Sequence, residues 1–300
     1  GNGNRWKEQE ISYLANRGFK INVIPFWDCG MPIQKNLNSS VLYEAPLLGG
    51  NPYISLKRKL IRVFFSRYFF YFFSDILHNG SIWNRSHIVS WIVASYNTLK
   101  KVLKDSNSEA LFYFYWGLNA GYLIPFLKKK GKKILCRFHG YDLYCERNNG
   151  YLPFQSAIVN NSALIMPCSE DGAKYLRKKY PKFDLRIYIA RLGTTSIGLA
   201  NHSEDDVLHL LSCSSVIPVK RVELILESLE FVKSKVKWTH IGGGFLLESL
   251  RSRVQCLNMD NVHVDLLGEV PPIKVQEYYK QFPVDLFLNV SEYEGVPVSI

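Results

Sequence analysis

A chain of 300 residues with 47% apolar content has material for about two domains, each with a sizeable core. Its six cysteines (Cys29, Cys136, Cys145, Cys168, Cys213 and Cys256) lie far apart with no CxxC pair, which excludes a disulfide framework and a zinc-ligand spacing and reads as reduced thiols of a cytosolic protein. The net charge of +11 is lopsided: residues 1–200 carry 28 Lys and Arg against 12 Asp and Glu, residues 201–300 carry 9 against 14. The basic part then faces something anionic (nucleic acid, an acidic membrane leaflet or a pyrophosphate-linked substrate) or is simply a solvated basic surface.

In chain order, residues 5–16 read as an amphipathic helix stopped by Gly18, and residues 20–26 as a strand. No signal peptide is expected, because Arg5-Trp6-Lys7-Glu8 opens no apolar run. Residues 60–77 are apolar and aromatic but interrupted by Arg62, Arg67 and Asp75, which makes a poor bilayer-spanning helix. With Lys57, Arg58 and Lys59 the segment suits a basic helix lying on a membrane surface, and it suits equally a core helix with a basic start. A long helical pattern at 85–104 leads to a buried strand at 110–115, a helix at 119–129 and a strand at 133–138. Helices at 155–160 and 169–179 flank a strand at 163–167, and another strand is expected at 185–190.

Residues 196–206 are polar, turn-rich and acidic, and the charge changes sign there, so they are expected to link a first domain, 1–195, to a second, 207–300. The second half restarts the alternation: strand 207–213, helix 221–233, strand 236–241, helix 245–257, strand 262–266, helix 273–280, strand 285–289. Such alternation predicts α/β architecture with two doubly wound, Rossmann-like parallel sheets. Both ends look cut: the chain opens on a helix without the strand and Gly-rich turn that start such a domain, and it stops at Val298-Ser299-Ile300 inside an apolar pattern.

Four segments at the C-terminal ends of predicted strands carry candidate chemistry, which is where open parallel sheets bind ligands. Arg137-Phe138-His139-Gly140-Tyr141-Asp142 offers a histidine able to exchange hydrogen bonds with a sugar hydroxyl, beside a glycine that admits a ligand; a lone histidine after a strand is also an ordinary structural residue. Lys220-Arg221, just before a helix, offers two cations for a diphosphate. Gly242-Gly243-Gly244 lets backbone approach a phosphate or sugar, or makes a tight turn with no ligand; Leu247 occupies the place of the third glycine of a dinucleotide fingerprint. Ser291-Glu292-Tyr293-Glu294-Gly295-Val296-Pro297 sets two carboxylates beside a Gly-x-Pro turn.

The order of these segments resembles glycosyltransferase family 4, the retaining, nucleotide-sugar-dependent enzymes of GT-B fold, over most of the chain. Glu10-Ile11-Ser12-Tyr13-Leu14 is similar to the family's E-I-x-x-L helix, His139-Gly140-Tyr141-Asp142 to its H-G-x-D segment, and Ser169-Glu170 followed by Leu176 to its S-e…L strand and helix. Leu192-Gly193 resembles the end of its first domain, Pro218-Val219-Lys220-Arg221 its donor loop, Leu266-Leu267-Gly268-Glu269-Val270 its f-l-G-x-v segment, and Ser291 to Pro297 its S-x-x-E-G-x-P signature. The resemblance implies two Rossmann-like domains facing a cleft, a basic acceptor-binding domain first and a donor domain second. It places His139 at the reaction centre with Arg137 and Asp142 on the acceptor side. Lys220 and Arg221 would neutralise the diphosphate, Gly243 and Gly244 would line the donor pocket, and Leu267 and Gly268 would lie near the base. Glu294 would contact the donor sugar as the first carboxylate of an E-x7-E pair whose second member falls past Ile300, with Gly295, Val296 and Pro297 giving backbone contacts. The family's arginine five residues before the donor-loop lysine is replaced by Ser215, which leaves open whether Arg221 takes its role.

The implied function is retaining transfer of a sugar from a nucleoside-diphosphate sugar to a lipid-linked or glycan acceptor in surface polysaccharide synthesis. The expected setting is the cytoplasm, peripheral on the membrane's inner face, with neither metal nor other cofactor and no nucleic acid as partner. The competing readings are a nucleotide-sugar 2-epimerase of GT-B fold, which would not be expected to carry the S-x-x-E-G-x-P segment in this form, and a basic nucleic-acid-binding protein. The aromatic residues argue against the latter, since they sit in apolar runs and are not interleaved with Lys and Arg.

Overall fold

The computed structural model describes residues 5–26, 39–44, 46, 109–128, 131–148, 150–194, 196, 198–199, 202–256, 259–294 and 297–299. The expected helices at 60–77 and 85–104 lie outside them. Residues 10–192 form one compact unit; residues 193–300, with residues 1–9, form the other.

In the unit of residues 10–192, β3 (Leu111–Phe114), β4 (Lys133–Phe138) and β5 (Leu164–Pro167) make a parallel sheet in that order, after a separate parallel pair of β1 (Ile21–Val23) and β2 (Val41–Tyr43). Central strand β4 reads Lys-Ile-Leu-Cys-Arg-Phe; Ile134, Cys136 and Phe138 are wholly buried on one face of the sheet, while on the other Lys133 is exposed, Leu135 part-buried and Arg137 buried. The helices α1 (Arg5–Asn16), α2 (Ile124–Lys128), α3 (Gln155–Asn161) and α4 (Glu170–Lys179) precede or follow these strands. Leu123, Ile124, Leu127, Ile158 and Leu176 join the strand residues in one core. Helix α4 begins where Ser169 Oγ accepts from the Gly172 N–H at 3.1 Å, opens with Glu170 and Asp171 and closes with Arg177, Lys178 and Lys179, charges that complement its dipole.

Two expectations in this unit change, and one strand was not expected. The helix at 119–129 is a 3-10 turn, Asn119–Leu123, followed by the short α2, whose first turn accepts Pro125 because no intrahelical donor is needed there. The strand at 185–190 is a single parallel bridge from Ile187 to Ile165, continued by the Ala190 N–H donating to Pro167 O. Strand β2, of three residues, has no sequence pattern long enough to announce it.

In the other unit, β6 (Leu208–Cys213), β7 (Val236–Ile241), β8 (Val262–Gly268) and β9 (Leu286–Phe287) are all parallel, in the order β8-β7-β6-β9. Helices α5 (Glu223–Leu229), α6 (Leu247–Gln255) and α7 (Pro272–Gln281) connect them. Trp238 of β7 is wholly buried among Leu210, Ile225, Leu226, Leu229 and Leu250. Helix α5 is shorter than the expected 221–233, because Pro218–Lys220 is a 3-10 turn and Arg221 is left-handed at φ 49°. The chain winds outward from β6 through β7 to β8, then returns to add β9 on the other side of β6. The sheet therefore has a topological switch point between β6 and β9, the place where loops diverge and open α/β sheets bind their ligands.

Among the described residues no helix is long and apolar enough to cross a membrane.

Candidate functional site

The switch point brings together two segments far apart in sequence. The loop leaving β6 carries Lys220 and Arg221; the segment leaving β9 carries Ser291 and Glu294. Backbone joins them first: the Glu292 N–H donates to Val219 O at 2.9 Å, and Arg221 Nε donates to Val290 O at 2.9 Å. Lys220 Nζ then pairs with Glu294 Oε1, to which Ser291 Oγ also donates at 2.8 Å. Burial pushes the Glu294 carboxyl up, but hydrogen bonds from Lys220 and Ser291 and the lysine's charge outweigh it and hold the group below the ordinary carboxylate value. The left-handed backbone at Arg221 costs about 1 kcal/mol or more for a residue with a Cβ, and its bonds to Val290 O and Pro218 O hold it.

The glycine triplet has a packing reason. Gly242 and Gly244 both have φ 151°, and a Cβ would stand 1.8 Å from Ser214 O at the first and 2.4 Å from Val216 O at the second. The loop after β7 is thus laid against the loop after β6, with the Val216 N–H donating to Gly243 O at 2.8 Å and the Leu246 N–H to Val216 O at 3.2 Å. Gly242 also donates to Gly268 O at 2.8 Å, tying in the end of β8, where Leu267 is exposed and Gly268 buried. Gly243 faces Glu269. Pro297 is half-buried; Gly295 and Val296 lie outside the described residues.

Beneath these loops runs a closed polar chain. Trp238 Nε1 donates to Ser212 Oγ at 2.9 Å; Ser212 Oγ lies 2.8 Å from His240 Nδ1; His240 Nε2 lies 3.1 Å from Ser214 O. A carbonyl only accepts, so Nε2 carries the proton and Nδ1 accepts from the serine hydroxyl. Burial pushes the His240 pKa down from 6.5 to about 4. A depressed histidine contributes stability present above the unfolded value and lost as pH falls through the folded one, here from about 6.5 to about 4 and worth up to about 3 kcal/mol. The urea midpoint of this unit is expected to fall over that window, and His240→Gln, whose amide can still donate to Ser214 O but does not titrate, is expected to flatten the fall. An unchanged pH slope in the variant would remove His240 as its cause.

The unit of residues 10–192 builds a second constellation at the ends of β3 and β4. Asp142, 1% exposed, accepts from the His139 N–H at 2.6 Å through Oδ1 and from the Gly117 N–H at 2.7 Å through Oδ2. One carboxylate so clamps the loop after β4 to the loop after β3. Burial raises the Asp142 pKa from 3.8 to about 7, against the lowering effect of those two N–H groups. Between the loops the His139 imidazole stacks on Tyr115, centroids 5.3 Å apart, and meets Trp116 at 4.1 Å. Arg137 is buried as well: Nη1 binds Glu10 Oε2 at 2.6 Å and Tyr113 Oη at 3.1 Å, and Nη2 binds Ala190 O at 2.6 Å and Arg191 O at 3.1 Å. Asp142 thus holds the His139 loop through its backbone, while Arg137 binds Glu10, Tyr113 and the carbonyls of Ala190 and Arg191. Tyr115 and Trp116 escaped the sequence reading. The available signal was their position at the C-terminal end of a predicted strand.

Among the described residues no group of three or more His, Cys, Asp or Glu is placed to hold a metal ion.

The sequence matches no protein-family profile. It matches none of the curated proteins. Solved structures do share its architecture. The apo form of the lipopolysaccharide outer core galactosyltransferase WaaB is 15% identical, with a TM-score of 0.54 over 69% of this chain and 57% of that one. The apo structure of OtsA is 12% identical, with a TM-score of 0.60 over 97% and 76%. An E. coli trehalose-6-phosphate protein bound to UDP-2-fluoro glucose is 12% identical, with a TM-score of 0.58 over 96% and 76%. The chain spans little more than half the length of the WaaB structure. At these identities the likeness is one of fold: a parallel-sheet α/β protein with the Rossmann-like sheets of GT-B glycosyltransferases.

Proposed function

We propose that the chain is a GT-B glycosyltransferase that moves a sugar from a nucleoside-diphosphate sugar to a glycan acceptor. One observation carries this: Lys220 and Glu294, 74 positions apart, meet at the switch point of a Rossmann-like sheet. A cation there, with Arg221 beside it, suits a diphosphate, and a carboxylate there suits sugar hydroxyls. The UDP-2-fluoro glucose bound by a neighbour of this fold supports the donor class.

On this reading Lys220 leaves Glu294 when the donor enters and stabilises the charge that develops on the departing diphosphate, while Glu294 turns to the donor sugar. The resemblance to family 4 favours retention of configuration, with the acceptor attacking on the face the diphosphate leaves. It also favours a reaction without a metal, the cations taking the electrostatic role. The basic composition of residues 1–200 supports an acceptor displayed at an anionic membrane surface, such as a lipid-linked glycan of surface polysaccharide synthesis on the cytoplasmic side.

Calorimetric titration of the chain with UDP, GDP and ADP, without added metal, tests the core of this. Micromolar binding of one of them supports the donor site and identifies its nucleotide. Binding of none by the folded chain sinks the reading.

A further inference from the structure

The polar chain beneath the loops after β6 and β7 lies in an apolar setting. Trp238 and His240 are wholly buried and Ser212 is nearly so. Leu210, Val216, Leu226 and Leu250 share a core with Trp238. Apolar side chains of equal size would fill these places without the cost of desolvating a hydroxyl, an indole N–H and an imidazole. What the polar residues add is a single geometry, because a fully satisfied buried network holds one arrangement. The indole N–H can only donate and the Ser214 carbonyl can only accept. The donations therefore run one way, from Trp238 through Ser212 and His240 to Ser214 O.

That end point is the backbone of the loop that leads to Lys220. Ser214 is the first residue past β6, and its N–H donates to Ile241 O at 3.0 Å. With its carbonyl held by His240 Nε2 at 3.1 Å, both of its backbone polar groups are fixed to residues of β7. Gly242 closes over this bond: a Cβ there would stand 1.8 Å from Ser214 O and 3.4 Å from His240 Nε2. The first glycine of the triplet thus leaves room for the histidine's contact. Two residues further on, the Val216 N–H donates to Gly243 O at 2.8 Å. The 3-10 turn Pro218–Lys220 follows, where the Lys220 N–H donates to Ile217 O at 2.9 Å.

We propose that His240 is a positioning residue whose bond to Ser214 O fixes the loop that carries Lys220. That the loop serves a nucleoside diphosphate rests on the glycosyltransferase reading; the positioning does not.

Two substitutions separate the two imidazole nitrogens. The amide nitrogen of a glutamine reaches the place of Nε2, whereas the side chain of an asparagine stops at the place of Nδ1. His240→Gln therefore keeps a donor for Ser214 O, and His240→Asn keeps only an acceptor for Ser212. Calorimetry of the whole chain with UDP, GDP and ADP is expected to show affinity weakened about tenfold in His240→Asn and held within about twofold in His240→Gln. Where the chain binds one of these nucleotides, affinity decides. Wild-type affinity in His240→Asn overturns the proposal. So does equal weakening in both variants, which makes packing rather than the bond to Ser214 the cause. Where the chain binds none of them, hydrogen–deuterium exchange of residues 214–221 decides, with β8 of the same unit as the reference. Exchange about tenfold faster in His240→Asn but not in His240→Gln, with β8 unchanged, upholds the positioning and rejects the donor reading; any other pattern overturns it. Should His240→Asn not fold, His240→Leu, which fills the site without a polar atom, takes its place with the same expectations.

Discussion

Lys220→Ala is expected to weaken binding of the cognate nucleoside diphosphate by about 10- to 100-fold, the worth of a charge-assisted hydrogen bond to phosphate. Two effects act together. The cation is lost, and Glu294 loses its ion-pair partner, keeping hydrogen bonds from the neutral Ser291 and Asn289 side chains. Combining Lys220→Ala with Glu294→Gln removes the repulsion but not the loss of the cation, so the double variant should recover part of the affinity. Calorimetry on the two variants separates these contributions. Wild-type affinity in Lys220→Ala would take Lys220 out of the donor site. A double variant no better than the single one would mean that Glu294 does not face the diphosphate.

Asp142→Ala is expected to destabilise the unit of residues 10–192 severely. It leaves the buried N–H groups of His139 and Gly117 without their acceptor, at about 1–3 kcal/mol each, and opens a space behind the loop. A loss of about 3–5 kcal/mol follows, read as a lower urea midpoint. Asp142→Asn keeps one acceptor oxygen and should lose about half as much. The pH dependence has the opposite sign to that of His240. A carboxyl raised from 3.8 to about 7 contributes stability that is fully present below about 3.8 and lost as pH rises through about 7, up to about 4 kcal/mol in all. Acidification from pH 7 to pH 4 should therefore stabilise this unit through Asp142 while it destabilises the other through His240. Urea titrations at pH 7 and pH 4.5 check both: an Asp142→Asn variant that keeps the gain on acidification would show that another group causes it.

Much of the local structure was legible in the sequence. The expected strands at 133–138 and 236–241 have the observed bounds of β4 and β7, where Gly131 precedes one and Gly242-Gly243-Gly244 follows the other. The helix at 5–16 matches α1, where an amphipathic pattern meets a glycine at φ 89°. Less was legible where backbone rather than periodicity decides, as in the 3-10 turn Pro218–Lys220, the left-handed Arg221 and the bridge at Ile187. The glycine triplet was open between ligand contact and turn; the carbonyls of Ser214 and Val216 show that loop packing alone requires two of its members.

By itself the sequence determined the alternation of strands and helices, the parallel sheets that follow from it, and the loops at strand ends that carry His139, Lys220, the glycines and Glu294. These are properties of short windows, in which the spacing of apolar residues dictates which face is buried. Only the tertiary structure decided the order β8-β7-β6-β9, and with it the meeting of Lys220 and Glu294 at the switch point. It also decided that Asp142 turns inward to hold Gly117, 25 residues away, and that Tyr115 and Trp116 enclose His139. Such pairings depend on which strands lie side by side. That is settled by the packing of residues distant in the chain, and no local pattern records it.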